Sequence, residues 1–269
     1  MKPVLAESAT PDRAEALLRN DEWIAQQKVD GQRVLVTIND GNVQFLNRQG
    51  VAKQTNVTRP MRDEFARFHI GEWAFDGEIL DGVLWLFDMP RAGEHVDPTS
   101  PLAWRMSVLD GLVEQGIFTD SPVVRVLPRA ETTDEKVALC EKVRDFGGEG
   151  LMLKNLNGRY EIGRRSRHLL KYKFVNTCDA IVSRAGFDGK ENLSLQVYRD
   201  GKRVDIGDCT ARAGDGLAIK VGDVVEVRYL YLGANGRLYQ PTYPKIRDDK
   251  SPEECTWDQL VPVRKGVLV

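Results

Sequence analysis

The chain has 269 residues and 30.3 kDa, room for one large domain or two ordinary ones, and its 42% hydrophobic content excludes disordered and fibrous classes. Lys+Arg 38 against Asp+Glu 40 leaves a formal charge of -2, so bulk charge does not hold nucleic acid and any such partner needs a local patch. Cys140, Cys178, Cys209 and Cys255 are widely spaced, without a C-x-x-C pair and beside only 3 histidines, which speaks against a zinc site or a disulfide framework. No apolar leader follows the start, and no run approaches the roughly 18 apolar residues of a membrane span. No membrane partner is expected, and the protein reads as cytoplasmic, whether bacterial or in the cytoplasm of a viral host.

After an extended KPVLAES segment, Thr10 and Pro11 have the N-cap and first-turn character of a short helix through DRAEALLR. WIAQQKV, QRVLVTIN and NVQFLNR then read as successive strands, the last two joined by a tight turn at Asp40-Gly41. A helix over RPMRDEFARF follows. EWAFDGEIL and VLWLFDM form a second hairpin across Asp81-Gly82, and Ser100-Pro101 opens a helix through LAWRMSVLDGLVEQG. Thr132 and Glu135 have capping-box spacing, starting a helix through Phe146 that Gly147-Gly148 stops before the apolar run GLMLK.

Beyond Phe174 the pattern becomes short strands and close turns: DAIVSRA, LSLQVYR, KRVDIGD and DVVEVRYLYLG. This is a small β domain, with the boundary between residues 175 and 176 and a hinge near Phe174 to Thr177. Just before it, Arg159 to Lys173 carries six basic residues against the single acid Glu161.

Lys28, Asp30 and Arg33 lie within one hexamer, KVDGQR, and on an extended chain Lys28 and Asp30 point the same way. A lysine attacks phosphorus only when deprotonated, which desolvation and nearby cations favour. Asp30-Gly31 reads equally as another hairpin turn. The order of the remaining segments adds NRQG (Asn47 to Gly50), FDGEIL (Phe75 to Leu80), LFDM (Leu86 to Met89), EGLMLK (Glu149 to Lys154), LLKYKF (Leu169 to Phe174) and IRDDK (Ile246 to Lys250). Motif for motif, this series resembles the ATP-dependent DNA ligases of the lysine-nucleotidyltransferase superfamily, which also contains RNA ligases and mRNA capping enzymes.

The resemblance spans nearly the whole chain. It implies an α+β protein: a nucleotidyltransferase, ATP-grasp-like catalytic domain with antiparallel sheets over residues 1–175, then an OB-fold β-barrel over 176–269. It implies that Lys28 forms a phosphoramide bond to AMP, with Arg33 and Arg48 gripping the AMP phosphate and the DNA 5′-phosphate, as planar donor forks suit. Glu78 matches the ribose-binding position and Phe87 the adenine-stacking one, although alone they read as a cross-strand charge and a core aromatic. Asp30, Asp76 and Glu149 resemble the carboxylates that serve metal ions and the reacting hydroxyl, with Asp76 and Glu149 the implied ligands of Mg²⁺.

Lys171 and Lys173 match the lysines used on the α-phosphate, with a solvated strand face as their alternative. Arg164, Arg165, Arg167 and His168 read as a patch on the DNA backbone. Arg247 and Lys250 match the basic residues that orient pyrophosphate, with a salt-bridged turn around Asp248 and Asp249 as the other reading. Gln26 stands where many relatives place a glutamate or threonine facing adenine. The loop Gly186 to Asn192 is too short for a long DNA-encircling insertion, so the resemblance implies a minimal, monomeric ligase acting on nicked duplex DNA with ATP as AMP donor. An RNA ligase, a capping guanylyltransferase and a silent nucleic-acid-binding module are the rival readings; accessory proteins are not specified.

Overall fold

Thr10, Thr58 and Thr132 each start a helix with a side-chain oxygen that accepts a backbone N–H three residues on, so local chemistry fixes where the helices begin. The computed structural model describes residues 1–52, 56–186, 192–210, 219–262, 264 and 266–268. The first unit comprises Met1–Tyr172 with the described residues of Lys265–Val269, and the second Lys173–Arg264. Residues 266–268 thus belong with the first unit.

In chain order the first part contains β1 (Leu5–Ser8), α1 (Pro11–Leu18), β2 (Trp23–Gln27), β3 (Gln32–Asn39), β4 (Asn42–Leu46), α2 (Arg59–Phe65), β5 (Glu72–Leu80) and β6 (Val83–Ala92). It continues with α3 (Leu102–Glu114), β7 (Val124–Val126), α4 (Thr133–Phe146), β8 (Gly150–Asn155) and β9 (Arg165–Lys173). One sheet has the order β1-β9-β8-β2 and the other β4-β3-β5-β6-β7. Most pairs are antiparallel, but β1 runs parallel to β9 and β7 to β6. The main core lies between the second sheet and helices α2 and α3, where Phe65 meets Phe45, Phe68, Phe75 and Phe118 at ring-centroid distances of 5.4–6.4 Å.

The two expected tight hairpins form, with positive φ at Asp40 and Gly41 and again at Asp81 and Gly82. Asp30-Gly31 makes no hairpin: β2 pairs with β8 in one sheet and β3 with β4 and β5 in the other. At Gly31 the backbone passes so close to β5 that a Cβ would stand 2.2 Å from the Ile79 carbonyl oxygen. Strands β2 and β3 are therefore neighbours in sequence but belong to different sheets.

The second unit contains β10 (Asn176–Ala185), β11 (Asn192–Arg199), β12 (Lys202–Thr210), β13 (Val224–Tyr229), β14 (Tyr231–Leu232), β15 (Leu238–Tyr239) and β16 (Thr242–Ile246). Its sheet order is β12-β11-β10-β13-β16, with β14-β15 as a separate ladder. The expected barrel is not closed among the described residues: β12 and β16 end the ladder. DVVEVRYLYLG also breaks into two strands at Leu230, whose N–H turns to the Tyr239 carbonyl. Within the expected short loop Gly186 to Asn192, residues 187–191 lie outside the described residues. No described helix is long and apolar enough to cross a membrane.

Candidate active site

Lys28 follows the last residue of β2, and its backbone N–H donates to the Gly150 carbonyl at 2.9 Å, which keeps it beside the start of β8. Glu149 immediately precedes β8. The Lys28 Nζ and the Glu149 carboxylate form an ion pair in which the Glu149 side chain is 5% exposed and the Lys28 side chain 21% exposed. The amine is thus held from one side and open on another.

Across the second sheet, Arg33 pairs in register with Glu78 and Leu35 with Asp76. Arg33 reaches along its strand to grip Asp76 in bidentate fashion, Nε to Oδ1 at 3.0 Å and Nη2 to Oδ2 at 2.6 Å. The buried Tyr160 hydroxyl donates to the same Oδ2 at 2.5 Å. Asp76 is fully buried with both oxygens engaged, and its carboxylate anchors Arg33. Burial pushes the Glu78 carboxyl up to about 7, against the opposing pull of Lys28 and Arg33.

Phe87 sits at a β-bulge. Asp76 pairs with Asp88 and Gly77 with Leu86, so Phe87 is the extra residue between them and its side chain is re-aimed. Lys154, 4% exposed, donates through Nζ to the Phe87 carbonyl at 2.6 Å and lies 4.6 Å from the centroid of its ring. The Arg33 guanidinium carbon is 5.5 Å from the same ring. Burial pushes the Lys154 amine down to about 8, against the attraction of Asp88 and Asp76. The next residue, Asp88, is claimed by Arg105 through bonds of 2.7 and 2.9 Å. Lys154, Tyr160 and Arg105 carry no role in the sequence reading although all three lie inside segments named there, because only the fold shows what they touch.

Gln26 is fully buried, and its Nε2 donates to the Leu127 carbonyl at 3.1 Å. Because a carbonyl fixes that end of the amide as the donor, the other end, Oε1, is an acceptor, buried without a partner among the described residues. Gln26 and Lys28 are two residues apart on an extended chain and face the same way. The face therefore brings together an acceptor without a partner among the described residues and an amine.

Asp30 is half-buried in the link between the sheets, and Arg48 is exposed in the turn that Asn47 organises by accepting from Gln49 and Val51. Lys171 and Lys173 are both half-buried on β9, Lys171 opposite Ser8, while Lys173 falls in the second unit. Arg164, Arg165 and Arg167 are exposed, and the Arg165 guanidinium donates to the Ala6 carbonyl. In the second unit Arg247 donates to Asp249 twice at 2.8 Å and to Asp179 at 3.0 Å, and Lys250 donates to Asp179 at 2.6 Å. That salt-bridged turn was the alternative reading for this pair. Hydrogen bonds from Arg247 pull the Asp249 carboxyl down to about 2.

No group of three His, Cys, Asp or Glu residues that could hold a metal occurs among the described residues. Asp76 is engaged by Arg33 and Tyr160 and Glu149 by Lys28, so these two carboxylates do not by themselves form a resident metal site. Magnesium that accompanies a triphosphate needs no such cage, because phosphate and water oxygens fill most of its positions.

A mixed α+β unit with two antiparallel-rich sheets, together with a separate β unit, is the fold of solved DNA ligases that carry a catalytic and an OB domain. Residues 83–173 match the family model described as ATP dependent DNA ligase domain. DNA ligase 1 of Korarchaeum cryptofilum is 24% identical over 333 residues, covering 98% of this chain and 59% of that protein. The multifunctional non-homologous end joining DNA repair protein LigD of Mycobacterium tuberculosis is 25% identical over 315 residues, covering 94% of this chain and 39% of that protein. The chain spans about half the length of these relatives.

Among solved structures, mycobacterial DNA ligase D complexed with ATP and MES superimposes with a TM-score of 0.55 at 22% identity, over 95% of this chain and 97% of that one. A Lig E DNA ligase described as binding DNA with a minimal scaffold gives 0.64 at 20% identity, over 92% and 99%. These likenesses show the fold. Residues 83–173 are thus similar to the domain of ATP-dependent DNA ligases, and the curated relatives named above are DNA ligases.

Proposed function

We propose that this chain is an ATP-dependent DNA ligase that seals nicks between a 5′-phosphate and a 3′-hydroxyl in duplex DNA. The observation that carries the reading is the shared face of Gln26 and Lys28, a buried empty acceptor two residues from a carboxylate-held amine. With the 6-position of the base turned to that acceptor, adenine offers an amino donor and guanine a keto oxygen, so in that pose the face favours ATP over GTP and a ligase over a capping guanylyltransferase.

In this reading Lys28 Nζ attacks the α-phosphorus of ATP, a P–N bond forms and pyrophosphate leaves. Glu149 orients the amine and is placed to take its proton. Arg33, held rigid by Asp76, offers its guanidinium to phosphate, while Phe87 stacks on the base and Glu78 takes the ribose hydroxyls. Lys171 and Lys173 serve the α-phosphate. AMP then passes to the 5′-phosphate at the nick, contacted by Arg48, and the 3′-hydroxyl displaces it. The chain's part in each step is positioning and charge neutralisation. Asp30 remains the candidate carboxylate near the reacting groups, and Mg²⁺ would arrive bound to the triphosphate. Arg164, Arg165 and Arg167 would hold the DNA backbone. Arg247 and Lys250 would act on pyrophosphate only by exchanging Asp179 and Asp249 for it.

Offering the protein a DNA nick, an RNA nick and a 5′-diphosphate RNA end tests the acceptor. Sealing of the DNA nick with ATP is expected; reaction confined to either RNA substrate would replace this reading.

A further inference from the structure

We infer that residues 266–268 form a brace behind the nucleophile, with Gln27 as a positioning residue for Lys28, and this rests on the adenylylation chemistry proposed above. Gln27 is 5% exposed, and both ends of its side-chain amide are spent on this segment. Its Nε2 donates to the Gly266 carbonyl at 2.8 Å, and its Oε1 accepts the Leu268 N–H at 2.8 Å. The side chain thus occupies the place of a neighbouring strand, giving two backbone groups the partners they would have in a sheet.

Two further observations show that the seat is built for this segment. Gly266 has φ of +152°, and a Cβ there would lie 3.1 Å from the Phe146 ring, so the backbone approaches α4 in a way that suits glycine. Val267 packs against the apolar cluster of Val29, Leu80, Trp85 and Leu127. Gln27 and Val29 flank Lys28 in sequence, and on an extended chain both face away from it. The segment therefore bonds to one neighbour of Lys28 and packs against the cluster containing the other. Lys28 itself points to the opposite face, where Glu149 holds it.

The consequence is specific to one step. A brace behind Lys28 fixes where Nζ stands relative to the α-phosphorus, and near-attack geometry of this kind is lost through displacements of about 1 Å. Closure of a nick that already carries AMP on its 5′-phosphate needs no lysine nucleophile. Removing the brace should slow formation of lysine–AMP and leave that last step intact.

The test compares the full chain, a chain ending at Lys265, a Gln27→Leu variant and the two changes combined. Single-turnover lysine–AMP formation at saturating ATP is measured beside sealing of a pre-adenylylated nick, which also reports whether each variant folds. We expect each single change to slow lysine–AMP formation by roughly ten-fold or more. Pre-adenylylated sealing should stay within about two-fold, and the combined variant should be no slower than the worse single one, because the truncation already removes the bonds that Gln27→Leu breaks. Unchanged lysine–AMP formation, equal loss in both assays, or multiplying losses in the combined variant would overturn the inference. A full chain that never forms lysine–AMP would instead refute the ligase reading itself.

Discussion

Asp76 holds Arg33 through both of its carboxylate oxygens while Tyr160 donates to one of them, so a phosphate-binding candidate is anchored by a carboxylate with no exposed surface. The arrangement makes Asp76 the foundation of a neighbouring guanidinium. Removing one partner of a buried pair strands the other, which costs far more than the pair itself contributes.

Asp76→Ala should therefore destabilise the protein by about 3–5 kcal/mol in denaturant unfolding. Tyr160→Phe, which deletes one hydrogen bond and leaves the ion pair, should cost about 1–2 kcal/mol. Equal costs for the two would contradict this ranking.

Glu78 carries its own pH signature. Burial raises its carboxyl to about 7 from an ordinary value of 4.5, so between these limits the folded state keeps a proton that the unfolded state has released. Its contribution to stability is full below about pH 4.5 and is lost as pH rises through 7. Thermal unfolding of the nucleotide-free protein from pH 5 to 8 should show Glu78→Gln gaining on the parent steadily as pH rises. A difference that stays constant over that range would refute the shift.

Lys154 supports the bulge that presents Phe87, through the carbonyl bond at 2.6 Å and the ring contact at 4.6 Å. Lys154→Met keeps the length and apolar stem but loses both interactions. It should raise KM for ATP several-fold, with a smaller effect on kcat, because the change weakens base binding and not phosphorus chemistry. A fall in kcat at unchanged KM would place Lys154 elsewhere in the reaction.

The arginines ahead of β9 differ in what they already hold. Arg164 and Arg167 are exposed, and each, if it contacts a phosphate, should lower the slope of log K against log salt by about 1 when changed to alanine. Arg165 also bonds the Ala6 carbonyl, so Arg165→Ala should lower unfolding stability in addition. DNA-binding titrations at several salt concentrations, beside thermal unfolding, separate the two effects.

Features set by local chemistry were legible from the chain. The turns at Asp40-Gly41 and Asp81-Gly82, the capping box of Thr132 and Glu135, and the left-handed stop at Gly147 all form as read, since each needs only residues within a few positions. The same Asp-Gly dipeptide at Asp30 misleads, because close packing against Ile79 and a change of sheet decide its conformation. The burial of Asp76 was equally hidden, for it depends on Tyr160, 84 residues away in sequence. The unfilled acceptor of Gln26 becomes visible only once Leu127 is known to take the other end of its amide.

The central claim is that Lys28 becomes covalently bound to AMP. Protein stripped with pyrophosphate and then incubated with Mg²⁺ and ATP should gain the mass of one AMP, lose it when nicked duplex DNA is added, and gain nothing as Lys28→Ala. No mass increase with ATP, or a gain that survives in Lys28→Ala, would contradict the account.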